Sequence, residues 1–138
     1  MASFNKFQPF VESIAEKVFN LGSDQLKIAL TAAANAPVNT NSVLANLTEI
    51  NYTNCSSRNV TTSSSSQSGG TYKLVCADLT LTASGGTVGP LRYVVIYDDT
   101  AASKDLIGWW DYGSDITLAD TETFLIDFSA ANGVLQLS

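Results

Sequence analysis

The feature that most constrains this chain is a succession of short apolar segments of period two, each closed by turn residues. "TYKLVCADLTLTA", "PLRYVVIYD", "LIGWWDY", "ITL", "TFLIDF" and "VLQLS" follow one another between Thr71 and Ser138. Between them stand Gly85-Gly86, Gly89-Pro90, Asp98-Asp99, Gly113-Ser114, Asp120-Thr121 and Asn132-Gly133. Alternate side chains of a strand leave on opposite faces, so such runs bury one face each and must pair to hide the other. The pattern predicts a mainly β protein, an antiparallel β-sandwich of jelly-roll or immunoglobulin-like form. "QLKIALTA" adds one earlier strand, and Pro37 with the Asn/Thr cluster after it marks a loop. "SVLANLTEI" reads equally as a helical turn or a strand entry.

Before the strands, Phe4, Phe7, Val11, Ile14, Val18 and Leu21 recur at spacings of three and four. That spacing predicts one N-terminal amphipathic α-helix over 4–21, with Pro9 near its start and Gly22 as its stop. The sandwich then occupies 25–138 of a single domain, 1–138. Residues 51–70 carry "TTSSSSQSGG" and few apolar anchors; a solvent-exposed edge strand or long loop fits them better than a disordered linker. At 138 residues, 45% hydrophobic and 14% charged, the chain can bury a core of ordinary size.

Two adjacent tryptophans sit in the strand-like "LIGWWDYGSDITL". If "LRYVVIY" and "LIGWWDY" form a hairpin with Arg92 opposite Asp111, then Val94 faces Trp109, Ile96 faces Ile107 and Asp98 faces Asp105. Leu91–Tyr112, Tyr93–Trp110, Val95–Gly108 and Tyr97–Leu106 share the other side. In that register Trp110 belongs to the core. Trp109, Val94, Ile96 and Ile107 form a contiguous apolar patch, the candidate interface, which either the N-terminal helix or a partner must cover.

Several chemistries are closed by composition. With no histidine, the commonest general base and zinc ligand are missing. Seven basic against thirteen acidic residues give a net charge of −6, with no electrostatic footprint for nucleic acid. The aspartates 98, 99, 105, 111 and 115 lack the alternation and closing glutamate of a calcium loop and read as turn caps. Asp111, the one tempting glycosidase acid, has Arg92 to push its pKa the wrong way. "SGGTVG" has no lysine or following helix for phosphate, and no serine sits in a nucleophile elbow. The expectation is therefore no enzyme: no catalytic residues, no cofactor and no metal.

Cys55 and Cys76 fit two buried thiols better than one disulfide, though both readings stand. The sequons at Asn46, Asn51, Asn54 and Asn59 read as chance in a Ser/Thr/Asn-rich stretch, because no secretory leader is recognised ahead of them. No apolar run reaches bilayer length, so a membrane partner is not expected.

Three stretches carry a resemblance: "FNKFQPFVESIAEKVFNLGSDQLKIALT", "TASGGTVGPLRYVVIYDDTAASKDLIGWWDYGS" and "ITLADTETFLIDFSAANGVLQL". Together they resemble small virion structural proteins of tailed bacteriophages, encoded near the major capsid gene, most strongly through "GPLRYVVIY" and "GWWDYG". The likeness fades over 51–70. It implies a capsid cement or decoration protein that binds the major capsid protein on the outside of the head. Such a protein is assembled in the bacterial host cytoplasm, is incorporated into the virion, and can associate as a homo-oligomer. The alternative is a tail or fibre domain that stacks Trp109 on host-surface carbohydrate.

Overall fold

A computed structural model describes residues 3–138. In chain order the elements are β1 (Phe4–Lys6), α1 (Gln8–Ala15), β2 (Leu26–Thr31), β3 (Asn59–Val60), β4 (Thr62–Ser68) and β5 (Thr71–Cys76). Then come β6 (Leu79–Thr82), β7 (Val88–Asp98), β8 (Leu106–Leu118), β9 (Thr123–Ile126) and β10 (Leu135–Leu137). They form three antiparallel sheets: β1-β8-β7-β2-β3, β10-β5-β4 and β6-β9. One hydrophobic cluster joins all three, with Ile28, Val94 and Trp110 from the first, Leu74 and Leu135 from the second, and Leu81 and Ile126 from the third. The mainly β, antiparallel, sandwich-like architecture with one helix agrees with the sequence pattern. Among the described residues no helix is long and apolar enough to cross a membrane.

The N-terminal segment departs from expectation. Residues 4–21 are not one helix: Phe4–Lys6 pair with Gly108–Trp110 as an edge strand, and α1 covers only Gln8–Ala15. Phe4 packs on Trp110 with ring centroids 5.2 Å apart, so extended backbone paired to a sheet wins over helical periodicity, which is a weak local preference. Pro9 does lie in the first turn of α1, where a missing N–H costs nothing. The helix ends early, at Lys17 in the left-handed region (φ 68) rather than at Gly22. Val11, from the expected apolar stripe, is 51% exposed.

The polar tract takes the edge-strand form. Among the described residues β4 pairs only with β5, and Gly69 (φ 59) and Gly70 (φ 85) make the two-residue turn between them, as the right-handed twist of a tight hairpin demands. "SVLANLTEI" forms an isolated bridge, Val43 to Asp105, followed by a 3-10 turn at Leu44–Asn46. Behind it, Tyr52 donates to Glu49 and accepts from the Leu30 N–H, each at 2.8 Å, while Arg58 lies over its ring and donates to the Ile28 carbonyl. This polar clamp ties the long segment after β2 to that strand.

The β7–β8 pair keeps the predicted register only next to its connection. Tyr97 faces Leu106, but Ile96 faces Gly108, Val95 faces Trp109, Val94 faces Trp110 and Tyr93 faces Asp111. A bulge at Ile107 inserts one residue into β8, and a one-residue slip exchanges the faces. Val94 and Ile96 therefore share a side with Trp110, not with Trp109. The expected turn at Gly113-Ser114 is instead continuous strand through Leu118.

Candidate functional site

The four residues of the expected interface do not form an exposed patch. Val94, Ile96 and Ile107 are each 0% exposed. The reason is the position of β7 at the centre of the five-stranded sheet, with β2 on one side and β8 on the other. All of Val94–Asp98 is buried, so this strand is covered on both faces and its apolar run belongs to the interior. Only Trp109 of the four remains partly open.

The two indoles occupy opposite faces of β8. Trp110 is 6% exposed and lies between Phe4 and Phe128, with centroids 5.2 and 5.6 Å away. Trp109 has Phe7 stacked on it at 4.5 Å and 44°. Phe7 is fully buried at the start of α1, held by its N–H to the Ile107 carbonyl at 3.1 Å, while Gln8 N–H donates to the Asn39 carbonyl at 2.8 Å. The covering expected from a helix face is made instead by the single residue preceding the helix.

Beside Trp109 lies an open depression of about 650 Å³ lined also by Asn5, Lys6, Pro37, Val38 and Asn39. Val38 is 55% exposed there. An indole, a valine and the Asn39 side-chain amide can hold an apolar group and orient it through hydrogen bonds, while the Asn5 amide nitrogen donates to the Ser3 and Trp109 carbonyls. Only Trp109 carried a sequence signal for this place, because β1 and the 32–58 segment meet it through tertiary contacts.

The aspartates are spent locally. Arg92 and Asp111 form a bidentate pair at 2.8 and 3.1 Å although Tyr93, not Arg92, is directly opposite Asp111. The guanidinium and the Gly113 N–H hold the Asp111 carboxyl below its ordinary pKa, which removes the proton a general acid needs. Asp99 pairs with Lys104 at 3.1 Å, and Asp115 accepts the Ala33 N–H at 2.9 Å. Among the described residues no three acidic or cysteine side chains gather as a metal site.

Asp98 caps its turn as expected, but its burial and its neighbour Asp24 carried no sequence signal. It is fully buried; Oδ1 accepts the N–H groups of Thr100 and Ala101 at 2.9 and 3.1 Å, and Oδ2 has no donor. Burial, then hydrogen bonding with the Asp24 carboxyl, pushes its pKa up to about 7 against those two N–H groups. Protonation of Asp98 gives this carboxyl a hydrogen to donate, where the ionised form would leave Oδ2 buried and unpaired. Asp98 itself has no exposed surface, while Asp24 beside it is partly open and lines a cavity with Thr100 and Ala101.

Cys55 and Cys76 are both free. Burial raises both thiols, Cys76 to about 11, and at Cys55 it outweighs the downward pull of the Arg58 charge, so neither is an activated thiolate. Compared with known proteins, the chain matches no family model, no curated protein and no solved structure.

Proposed function

We propose that this chain is a non-enzymatic structural component of a tailed-phage virion, a cement or decoration protein that binds the outer surface of the major capsid protein and stabilises the head. The observation that carries the docking part of this reading is the Trp109 depression. A partly open indole beside a 55% exposed Val38 supplies the kind of aromatic anchor around which protein interfaces concentrate their energy. The net charge of −6 is repelled by packaged DNA and suits the outer side of a shell. Binding only the assembled lattice stabilises it by mass action, with no chemistry. Symmetric self-association on the lattice is compatible with this role.

The test is binding of the purified protein to assembled heads of its phage, followed by cryo-microscopy. Wild type decorates the outer surface, and Val38→Asp weakens decoration at least about tenfold, a loss of about 1.4 kcal/mol. Density in the tail, or none on the particle, overturns the head reading.

A second reading, a tail or fibre domain that binds host carbohydrate, is favoured by the Asn39 side chain lining the same depression as the indole, since sugars stack on rings and hydrogen-bond to amides. A glycan array separates the two. Saccharide binding abolished by Trp109→Ala selects the second reading.

A further inference from the structure

We propose that the cavity between segment 17–24, the β4–β5 hairpin and the turn after β7 binds a small organic ammonium compound, its cation at the Asp24–Asp98 carboxyl pair and its carbon body along Ile14, Val18 and Leu137. This site is separate from the Trp109 depression and does not depend on the virion reading.

The first observation is the lining. The cavity is open, of about 690 Å³, a size that takes small ligands. Ile14, Val18 and Leu137 give it an apolar wall, and Val18 and Leu137 remain 38% and 41% exposed. Asp24, Thr100 and Ala101 also line it. An apolar wall with a few convergent polar groups holds an amphipathic molecule in one orientation.

The second observation is what stands behind those three residues. All of them bond to the fully buried Asp98: the Thr100 and Ala101 N–H groups donate to its Oδ1 at 2.9 and 3.1 Å, and the Asp24 carboxyl hydrogen-bonds with it. Its Oδ2 has no donor. Asp24 is thus the reachable half of a carboxyl pair whose other half lies just beneath the cavity wall.

No basic side chain answers this pair. In the same turn Asp99 is taken by Lys104 at 3.1 Å, and the Asp98 N–H donates to the Asp105 backbone carbonyl. On β2, Leu26 stands opposite Asp98, so Lys27 turns to the other face. Lys17, the one basic residue in the lining, is exposed and makes no ion pair among the described residues. The charge of the pair is therefore balanced by a proton or by a bound cation. With Asp98 raised to about 7, the proton leaves as pH rises past neutrality and a cation takes its place. Among the described residues no third acidic side chain joins the pair, which leaves a calcium ion far short of its about six to eight oxygens. An ammonium group needs only acceptors, and the apolar wall covers the carbon body attached to it.

The probes are hexylammonium, hexanol and hexanoate, titrated into the full-length protein at pH 6 and pH 8 and followed by calorimetry and NMR. An alkylamine, like lysine, is charged at both pH values. Hexylammonium shifts the methyl resonances of Val18 and Leu137. It binds about tenfold tighter at pH 8 than at pH 6, because it displaces one proton held with a pKa of about 7. Hexanol and hexanoate bind at least about tenfold more weakly at pH 8. Asp98→Asn, which keeps an acceptor for Thr100 and Ala101, removes the pH dependence. Asp24→Asn, which keeps an acceptor for the Asn20 N–H, lowers hexylammonium to the affinity of hexanol. Equal binding of hexylammonium and hexanol to wild type overturns the proposal and leaves an apolar groove only. So does a preference for hexanoate, which assigns the cavity to Lys17, or resonance shifts confined to other residues, or a pH dependence that survives Asp98→Asn.

Discussion

Phe7 and Trp109 stack with ring centroids 4.5 Å apart, and this contact is what closes one face of the longest strand pair. Phe7 is fully buried whereas Trp109 is half-buried. Truncating the phenylalanine therefore leaves an enclosed cavity, whereas the space left by truncating the indole opens to solvent. Phe7→Ala is expected to cost about 3–5 kcal/mol in urea unfolding, with a red-shifted tryptophan emission. Trp109→Ala costs less. The reverse order of the two losses contradicts the covering role assigned to Phe7.

Gly108 is required because β1 approaches it directly. A Cβ there meets the Phe4 ring and stands 2.6 Å from the Asn5 carbonyl oxygen. Gly108→Ala is expected to destabilise by about 1–3 kcal/mol and to release β1 from β8. Limited proteolysis checks this: new cleavage ahead of α1 appears in the variant before any in β7 or β8.

The Asp24–Asp98 pair makes stability depend on pH in a direction opposite to that of a salt-bridged acid. The folded-state pKa of Asp98 is about 7, above the ordinary 3.8. Its stabilising effect is complete below the unfolded value and is lost as pH rises through the folded one. Between pH 4 and 7 unfolding free energy should fall with rising pH, by at most about 1.4 kcal/mol per unit for one proton. Asp98→Asn keeps an oxygen for the Thr100 and Ala101 N–H groups and adds a permanent donor toward Asp24. This variant should lose the slope and be more stable than wild type at pH 8. Denaturant titrations of both proteins at several pH values decide it, and an unchanged slope in the variant rules out Asp98 as the source.

Two free thiols with raised pKa values should react slowly with a thiol reagent at neutral pH, since the thiolate is the reactive form. The half-buried Cys55 reacts before the buried Cys76. After denaturation without reductant both label, and mass spectrometry counts two modified cysteines. A single disulfide would leave none.

The strand succession was legible because each run and its turn residues are local in sequence. β2, β5, β7, β9 and β10 each overlap a run identified by alternation. The bulge at Ile107 was not, since nothing in "LIGWW" distinguishes an inserted residue from a paired one; the slip was set by how β8 fits β7 on one side and β1 on the other. The same slip decided which face the candidate interface residues join: with an unbroken register Val94 and Ile96 share a face with Trp109, and with the bulge they join Trp110, while cover on both faces of β7 buries them. Asp98 was legible as a turn cap, but its meeting with Asp24, far away in sequence, gave no signal.

Alternating side chains and turn residues determined that this chain is an antiparallel β protein, and charge and missing histidine restricted its chemistry, because those properties belong to residues and their immediate neighbours. Only the tertiary structure decided that Phe4–Lys6 is a strand, that Val94, Ile96 and Ile107 are interior, and that Trp109 alone stays open. Those outcomes depend on which distant segment covers which face, and a β-sheet's neighbours are chosen by long-range pairing that no short window contains.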